Sequence, residues 1–419
     1  MALWRLRRGI RLVKNSRNQV VEESRRVRGG RVRADNRSAF AVAPPMQHDS
    51  AMIWSIECTV CDREYPKAFL GFRCECGGPL DIRFETVMIR DDLRPAHTLW
   101  RYRRALPLEK DDCIVSLGEG MTPILEETLD GSVVGLKLEY LAPTGSFKDR
   151  GASVLLSRLK EMGVEEILED SSGNAGCSLA AYSAAAGIRC RVMVPANIPE
   201  GKAVQIASYG AKLERIAGTR DDVANRALER SSETFYASHN WQPFFLQGTK
   251  TFAYEVFEQM DPLPDCIFYP VGNGSLLIGS YKGFEEMKAL RWLTKVPRLI
   301  AVQAASHPPI YTRITGKTVE SDIKKTLAGG IAIGQPGRLR SVVDAVRATE
   351  GTAVVVNDAQ IQTAQRWLAR KGYLVEPTSA AALAGYNVWR ESNRDFDGRV
   401  LIPLTGLGLK DLESLSRLV

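Results

Sequence analysis

From about residue 86 to the C-terminus, short runs of β-branched and apolar residues alternate with longer segments of helical character. This alternation is typical of an α/β domain built on mostly parallel sheets. The predicted strands are VVGLKL at 133–138, RCRVMV at 189–194, CIFYPV at 266–271, RLIAVQ at 298–303, AVVV at 353–356 and RVLIPL at 399–404. Several of them run directly into Gly, Ser, Thr or Asn. Ligands bind at the carboxyl ends of strands in open α/β sheets, so we expect the chemistry there.

Composition and charge distinguish a basic N-terminal segment from the rest of the chain. The 419 residues are 44% hydrophobic and 25% charged, which is typical of a globular protein, and no apolar run is long enough to span a membrane. The net charge of +7 comes from residues 1–37, which hold 12 basic and 3 acidic residues, whereas the rest of the chain holds 44 basic and 46 acidic ones. We interpret residues 1–50 as a disordered basic leader or the product of an upstream start codon. A mitochondrial transit peptide and a nucleic-acid-binding arm are the alternatives.

Four of the eight cysteines lie close together, in a segment that we assign to residues 51–85. The pattern is C-x2-C, a 12-residue spacer and then C-x-C-G-G, formed by Cys58, Cys61, Cys74 and Cys76. Four thiolates at this spacing predict a zinc-ribbon-like knuckle with a structural Zn, because no coordination position is left open for chemistry. Disulfides or a metal-free remnant are the alternatives.

Two loops in the remaining body, residues 86–419, carry candidate chemistry. Lys148 begins a predicted helix, where the positive end of the helix dipole lowers the pKa of a nucleophilic amine. Asn174 is predicted to cap an alanine-rich helix that ends at Gly187, and its Ser-Gly-Asn loop offers a carboxylate site. Taken alone, these residues read equally well as a surface lysine and a simple capping loop.

Two further turns follow predicted strands. Gly272-Asn273-Gly274-Ser275 provides small residues that let backbone amides approach a phosphate, but it has neither the GxGxxG nor the P-loop spacing. Thr405-Gly406-Leu407-Gly408 places a hydroxyl at another strand end. Each would be an ordinary turn if it stood alone.

Together, the motifs resemble the pyridoxal-phosphate enzymes of fold type II, and most closely the threonine synthases. The motifs that carry the resemblance are GEGMTPIL at 118–125, KLEYLAPTGSFKDRG at 137–151, SSGNAG at 171–176, PEGKAVQIASYGAKL at 199–213, GTKTFAYE at 248–255, VGNGS at 271–275, VEPTSAAALAG at 375–385 and LTGLGLKD at 404–411. The resemblance implies two open-sheet α/β lobes with the cofactor, pyridoxal 5'-phosphate, between them.

The resemblance also implies roles for individual residues. Lys148 forms the covalent bond to the cofactor and moves protons, Asn174 hydrogen-bonds its phenolic oxygen, and Thr405 faces its pyridine nitrogen. The implied loop for the cofactor's phosphate consists of Gly272, Asn273, Gly274, Ser275 and Leu276. The implied substrate-binding residues are Ser171, Ser172, Asn174, His239, Asn240 and Lys250.

Two positions depart from the family pattern. Phe245 stands where threonine synthases place an arginine that grips the substrate's phosphate, and Leu407 stands where they have a histidine. An aromatic ring cannot replace a bidentate Arg–phosphate pair, so the substrate's phosphate needs another partner, with Lys250, His239 or an arginine elsewhere as candidates.

The leading hypothesis is elimination or replacement on an amino acid, as in the conversion of O-phospho-L-homoserine and water to L-threonine and phosphate. A serine/threonine ammonia-lyase is the alternative within the enzymes. A zinc-knuckle nucleic-acid-binding protein on an inactive scaffold is the alternative of another class. We further expect a cytoplasmic homodimer that acts on a small amino-acid substrate, with no nucleic-acid or membrane partner.

Overall fold

The computed structural model describes two short segments near the N-terminus and most of the chain after residue 53. The described residues are Val13–Lys14, Val20–Val21 and 54–84, 92–129, 131–196, 200–218, 220–319 and 325–418. Residues 51–419 form one compact unit and residues 1–50 another. In the latter, strands β1 (Val13–Lys14) and β2 (Val20–Val21) pair antiparallel, and the rest of the predicted leader lies outside the described residues. No helix in the described part is long and apolar enough to cross a membrane.

The cysteine segment forms a small antiparallel sheet. Its strands are β3 (Trp54–Cys58), β4 (Glu64–Tyr65) and β5 (Leu80–Phe84), in the order β4-β3-β5. Alternate residues of β3 are buried, and Trp54 packs edge-on against Phe244 with ring centroids 6.1 Å apart. The ribbon therefore shares its apolar core with the α/β body.

The body contains two sheets. The six-stranded sheet has the order β14-β13-β12-β15-β7-β6, with every pair parallel except the β6–β7 hairpin. The four-stranded sheet has the order β10-β9-β8-β11 and is wholly parallel. The strands are β6 (Ile124–Leu129), β7 (Ser132–Lys137), β8 (Glu166–Glu169), β9 (Arg189–Pro195), β10 (Lys212–Ile216), β11 (Phe235–Tyr236), β12 (Cys266–Pro270), β13 (Arg298–Ala304), β14 (Thr352–Val356) and β15 (Val400–Pro403). The predicted α/β architecture with mostly parallel sheets is confirmed, and all six predicted strands are present to within one residue at each end.

Helices follow most of these strands, as right-handed parallel connections require. They are α1 (Lys148–Glu161), α2 (Asn174–Ala186), α3 (Glu200–Ser208), α4 (Arg220–Arg230), α5 (Pro243–Thr249), α6 (Thr251–Gln259), α7 (Ser275–Ala289), α8 (Pro309–Thr315), α9 (Leu339–Ala348), α10 (Asp358–Arg370), α11 (Pro377–Glu391) and α12 (Leu412–Ser416). Single 3-10 turns lie at Leu99–Ala105, Asp111–Cys113, Glu139–Leu141, Gly329–Ile331 and Gly408–Lys410. Helix α1 packs against both α2 and α5, which places its first residue between the two sheets.

A buried charge cluster anchors the start of α1. Arg150 donates to Glu139 Oε1 and to Glu255 Oε2, both over 2.7 Å, and Lys137 Nζ donates to Glu255 Oε2 over 3.0 Å. All four side chains are buried, and their charges balance. Removing one partner of such a buried pair usually costs about 3–5 kcal/mol, so the backbone two residues after Lys148 is firmly held.

Arg338 connects the ribbon to the body. It is buried at the start of α9, and its guanidinium donates to the backbone oxygen atoms of Leu80 in β5 and of Asn240 and Trp241. The three distances are 2.8–2.9 Å. One arginine thus joins the cysteine ribbon to the loop that follows β11.

Candidate active site

A cavity of about 430 Å³ opens where strands of both sheets end. It is lined by twelve of the thirteen predicted cofactor and substrate residues, namely Lys148, Ser171, Ser172, Asn174, His239, Asn240, Gly272, Asn273, Gly274, Ser275, Leu276 and Thr405. Lys250 is the exception. Convergence of residues from such distant parts of the chain is what a binding site at strand ends requires.

Lys148 is the first residue of α1, as predicted. Burial lowers the pKa of Lys148 to about 8, although Glu169 and Glu376 act in the opposite direction. The predicted cause, the helix dipole, is therefore not needed, because loss of hydration alone disfavours the ammonium. A lysine with this pKa is uncharged in a substantial fraction of molecules near neutral pH, as a nucleophile or proton carrier must be.

The lowered pKa predicts a stability effect in the cofactor-free protein. Below pH 8 the folded state holds a buried ammonium that the unfolded chain exposes, so Lys148 destabilises the fold there, and the penalty disappears as pH rises from about 8 towards the unfolded value of about 10.4. We expect Lys148→Met to stabilise the cofactor-free protein by about 3 kcal/mol at pH 7 and about 1 kcal/mol at pH 9.5. Urea unfolding at the two pH values measures this, with Lys160→Met, an exposed position of the same helix, as control. An equal effect at both pH values would contradict the assignment.

The Ser-Gly-Asn loop lies between β8 and α2. The helix cap is Gly173 rather than Asn174, so the predicted capping role of Asn174 is wrong. Asn174 Nδ2 instead donates to Glu376 Oε1 over 2.7 Å, while its Oδ1 atom is buried without a hydrogen-bond partner. The helix does end at Gly187, in a left-handed conformation as predicted. Gly176 is required because a Cβ there would overlap the carbonyl oxygen of Ser171.

The glycine-rich loop after β12 leads into the N-terminus of α7. Gly274 caps this helix with a φ of 81°, a conformation that favours glycine. The first backbone N–H groups of a 15-residue helix therefore face the cavity, as an anion site requires.

Thr405 follows β15 with its backbone fixed and its hydroxyl unused. Its N–H donates to Ser379 Oγ over 2.8 Å, and its carbonyl oxygen accepts from the N–H of Phe147 over 3.1 Å. The Oγ1 atom is buried without a partner. Buried polar atoms are nearly always hydrogen-bonded in a complete structure. The unpartnered Oγ1 of Thr405 and Oδ1 of Asn174, together with the anion site at α7, therefore fit a polar, phosphorylated ring compound such as pyridoxal phosphate.

The wall beside Ser171 contains a histidine–carboxyl contact and an ion pair that the sequence did not predict. His239 Nδ1 lies 2.7 Å from Glu169 Oε1, and Arg220 Nη2 lies 2.8 Å from Asp170 Oδ2. Burial, and then the neighbouring Asp170, raise the pKa of Glu169 well above its usual value. Burial, and then Lys148 and Arg220, lower the pKa of His239. Burial therefore disfavours a charge on either side chain.

The cavity receives no cation from the position of Phe245, where an arginine was expected, or from Lys250. Phe245 is fully buried in α5, where its ring packs against Gly151 of α1 and lies 5.7 Å from Lys148 Nζ. Lys250 was predicted to bind the substrate, but it does not line this cavity. Its ammonium is buried elsewhere and donates to Glu286 Oε1 over 2.9 Å.

The four ribbon cysteines converge. Their sulfur atoms all lie within 4.8 Å of one another, and the Cys58–Cys76 and Cys61–Cys74 Sγ pairs are each 3.5 Å apart. The hydroxyl of Tyr65 donates to Cys74 Sγ over 3.1 Å and lowers the pKa of Cys74 to about 6. Four sulfur atoms this close together form the donor set of a tetrahedral metal site.

Comparisons with known proteins agree with this geometry. A family described as pyridoxal-phosphate dependent enzyme matches residues 115–406. Threonine synthase from Methanocaldococcus jannaschii is 35% identical over 379 residues, which cover 86% of this chain and 94% of that protein. Threonine synthase from Methanosarcina acetivorans is 35% identical over 352 residues, covering 80% and 86%. A solved structure, the processed form of threonine deaminase isoform 2 from Solanum lycopersicum, matches with a TM-score of 0.61 at 20% identity, over 71% of this chain and 83% of that one. At that identity the structural match concerns the fold alone.

Proposed function

The chain belongs to the pyridoxal-phosphate-dependent enzyme family, and from this premise we propose that it is a lyase that carries out the threonine synthase reaction. The substrates are O-phospho-L-homoserine and water, and the products are L-threonine and phosphate. The observation that carries the proposal is the 35% identity to threonine synthases over most of the chain, combined with the convergence of the motif residues on one cavity.

Each contact with the cofactor has a candidate among the cavity residues. Lys148 provides the amine that bonds to the cofactor, and Asn174 provides an amide for its phenolic oxygen. The loop from Gly272 to Leu276, at the N-terminus of α7, holds its phosphate. The unpartnered hydroxyl of Thr405 would be the partner of its pyridine nitrogen, and a neutral partner there would suit elimination and replacement. When bound, this cofactor supplies an electron sink at the substrate's α carbon.

The chain itself binds the substrate and moves protons. Ser171, Ser172 and the first N–H groups of α2 bind the substrate's carboxylate, since a helix N-terminus favours an anion. Lys148 Nζ removes the α proton and returns protons later in the cycle. A pKa of about 8 allows it to act as base and acid near neutral pH.

A product assay with purified protein tests the proposal. Incubation with O-phosphohomoserine is expected to release phosphate and threonine in equal amounts. O-phosphoserine, serine and threonine are assayed in parallel, and no product from any of the four would contradict the proposal. An ammonia-lyase is the second candidate, because Phe245 gives no grip on a phosphate, and formation of 2-oxobutyrate from threonine would favour it.

We also propose that the cysteine ribbon binds one structural zinc ion through Cys58, Cys61, Cys74 and Cys76. The convergence of the four sulfurs supports this assignment. All four ligands are thiolates and none lines the cavity, so the metal stabilises the ribbon and takes no part in the reaction.

A cytoplasmic homodimer remains our proposal for the assembled protein. Leu141, Leu409 and Leu412 are each more than half exposed and line one groove, which supports association between copies. Cys58, Cys61, Cys74 and Cys76 lie close together without a disulfide in the structure, which suits a reducing compartment. The neutral charge of the body gives no support to a nucleic-acid partner.

A further inference from the structure

We infer that Arg220 is the residue that binds the anionic leaving group of the substrate, at a subsite that it forms with His239 and Asn240. This inference rests on the proposed function, because it assigns a place to the phosphate of a phosphorylated amino acid. It also replaces the arginine that is missing at Phe245 with a cation from a different element, helix α4.

The position of Arg220 fits this role. It begins α4 and lines the same cavity as Lys148, Ser171, His239 and Asn240. Among the described residues that line the cavity, Lys148 and Arg220 are the only Lys or Arg side chains. Lys148 is occupied by the chemistry, so Arg220 is the cation that remains for the substrate.

The guanidinium of Arg220 has one ion-pair partner and still has an unused hydrogen-bond donor. Asp170 holds Nη2 over 2.8 Å, whereas Nη1 is buried without a hydrogen-bond partner. Asn240 lines the same cavity, where its side-chain amide can donate to an anion through Nδ2. A guanidinium has five donors, and oriented guanidinium groups bind phosphate more strongly than neutral donors do.

The charges around Arg220 allow an anion to approach. Asp170 is the acid that pairs with Arg220, and its side chain is only 3% exposed. Burial, and then Asp170, raise the pKa of Glu169, which disfavours a second negative charge on this wall. His239 Nδ1 lies 2.7 Å from Glu169 Oε1, and this contact orients the ring without using Nε2. An imidazole and a guanidinium therefore line the same cavity.

The experiment compares the holoenzymes of wild type, Arg220→Gln and Arg220→Lys, with Arg226→Gln as control. Arg226 lies on the same helix but is exposed and pairs with Glu229. For Arg220→Gln we expect the KM for O-phosphohomoserine and the inhibition constant of inorganic phosphate to rise about 10- to 100-fold, as loss of a charged hydrogen bond predicts. Both constants of Arg220→Lys should lie between those of wild type and Arg220→Gln, because lysine keeps the positive charge but lacks the paired N–H donors of a guanidinium. With O-acetylhomoserine, whose ester group carries no negative charge, the KM of Arg220→Gln should stay within about threefold of the wild-type value.

The outcomes separate this inference from the proposed function. Failure of wild type to release phosphate from any phosphorylated substrate contradicts the function. Equal affinity of wild type and Arg220→Gln for phosphorylated ligands, measured by calorimetry on the holoenzymes whether or not turnover occurs, overturns the subsite. O-phosphohomoserine and O-phosphoserine are titrated separately, and the ligand that loses more affinity in Arg220→Gln identifies the chain length that places its phosphate at Arg220.

Discussion

Replacing Lys148 with alanine is expected to remove both turnover and the visible absorbance of the bound cofactor. The substitution deletes the amine that bonds to the cofactor and the group that moves the substrate's protons. Proton transfer by a positioned side chain alone contributes about 10²- to 10⁴-fold to the rate, so we expect activity to fall by at least about 10⁴-fold. Absorbance spectra and phosphate release from O-phosphohomoserine measure the two effects.

Lys160→Ala is the matched control for this variant. Lys160 lies on the same helix, is exposed, and makes only a long contact, 3.5 Å, with the backbone oxygen of Asp112. It should keep both the spectrum and the activity. A Lys148→Ala protein that retained a covalently attached cofactor or wild-type turnover would show that another amine performs the chemistry.

Removal of the metal is expected to destabilise the protein strongly without altering the chemistry of molecules that stay folded. Binding of structural zinc provides about 10–16 kcal/mol of apparent free energy in isolated zinc-finger peptides. Even a part of this amount should lower the midpoint of thermal unfolding by more than about 10 °C after chelation. Metal analysis, thermal unfolding and activity per folded molecule provide the three readouts.

Cys61→Ser should reproduce the effect of the chelator. Cys61 is exposed, so the loss of its sulfur matters mainly through the metal. Cys113→Ser, outside the cluster, should keep the zinc content and the unfolding midpoint. Protein purified without zinc and with an unchanged midpoint in Cys61→Ser would contradict a metal site. Loss of activity in metal-free molecules that remain folded would contradict the purely structural role.

The strands that the sequence revealed are short runs rich in apolar and β-branched residues. Strands such as Cys266–Pro270 are continuous apolar runs, and tertiary packing does not disguise them. Glu166–Glu169 and Lys212–Ile216 were not predicted, because charged residues interrupt them. Glu166 pairs with Arg191 on the neighbouring strand, so the partner that makes its charge tolerable is distant in sequence.

The residues of the candidate site also fall into those that the sequence predicted and one that only the fold reveals. Lys148, Asn174 and Thr405 lie in ordered motifs whose residue types already indicate the chemistry. Arg220 lies in a charged helical segment that resembles any solvated helix start, and only the packing of α4 beside Asp170 reveals it. The departure at Phe245 was visible in the sequence, but where a replacement cation lies depends on the fold.

The hydrogen bonds of Arg338 decide whether the cysteine ribbon can be separated from the α/β body. Its guanidinium holds the last strand of the ribbon and the backbone of the Asn240 loop at the same time. A chain shortened to begin at residue 86 would leave a buried guanidinium missing one acceptor and would expose the apolar face of Phe244. The ribbon is therefore not a detachable module that could be deleted or transplanted, but an outer layer of the catalytic domain's own core.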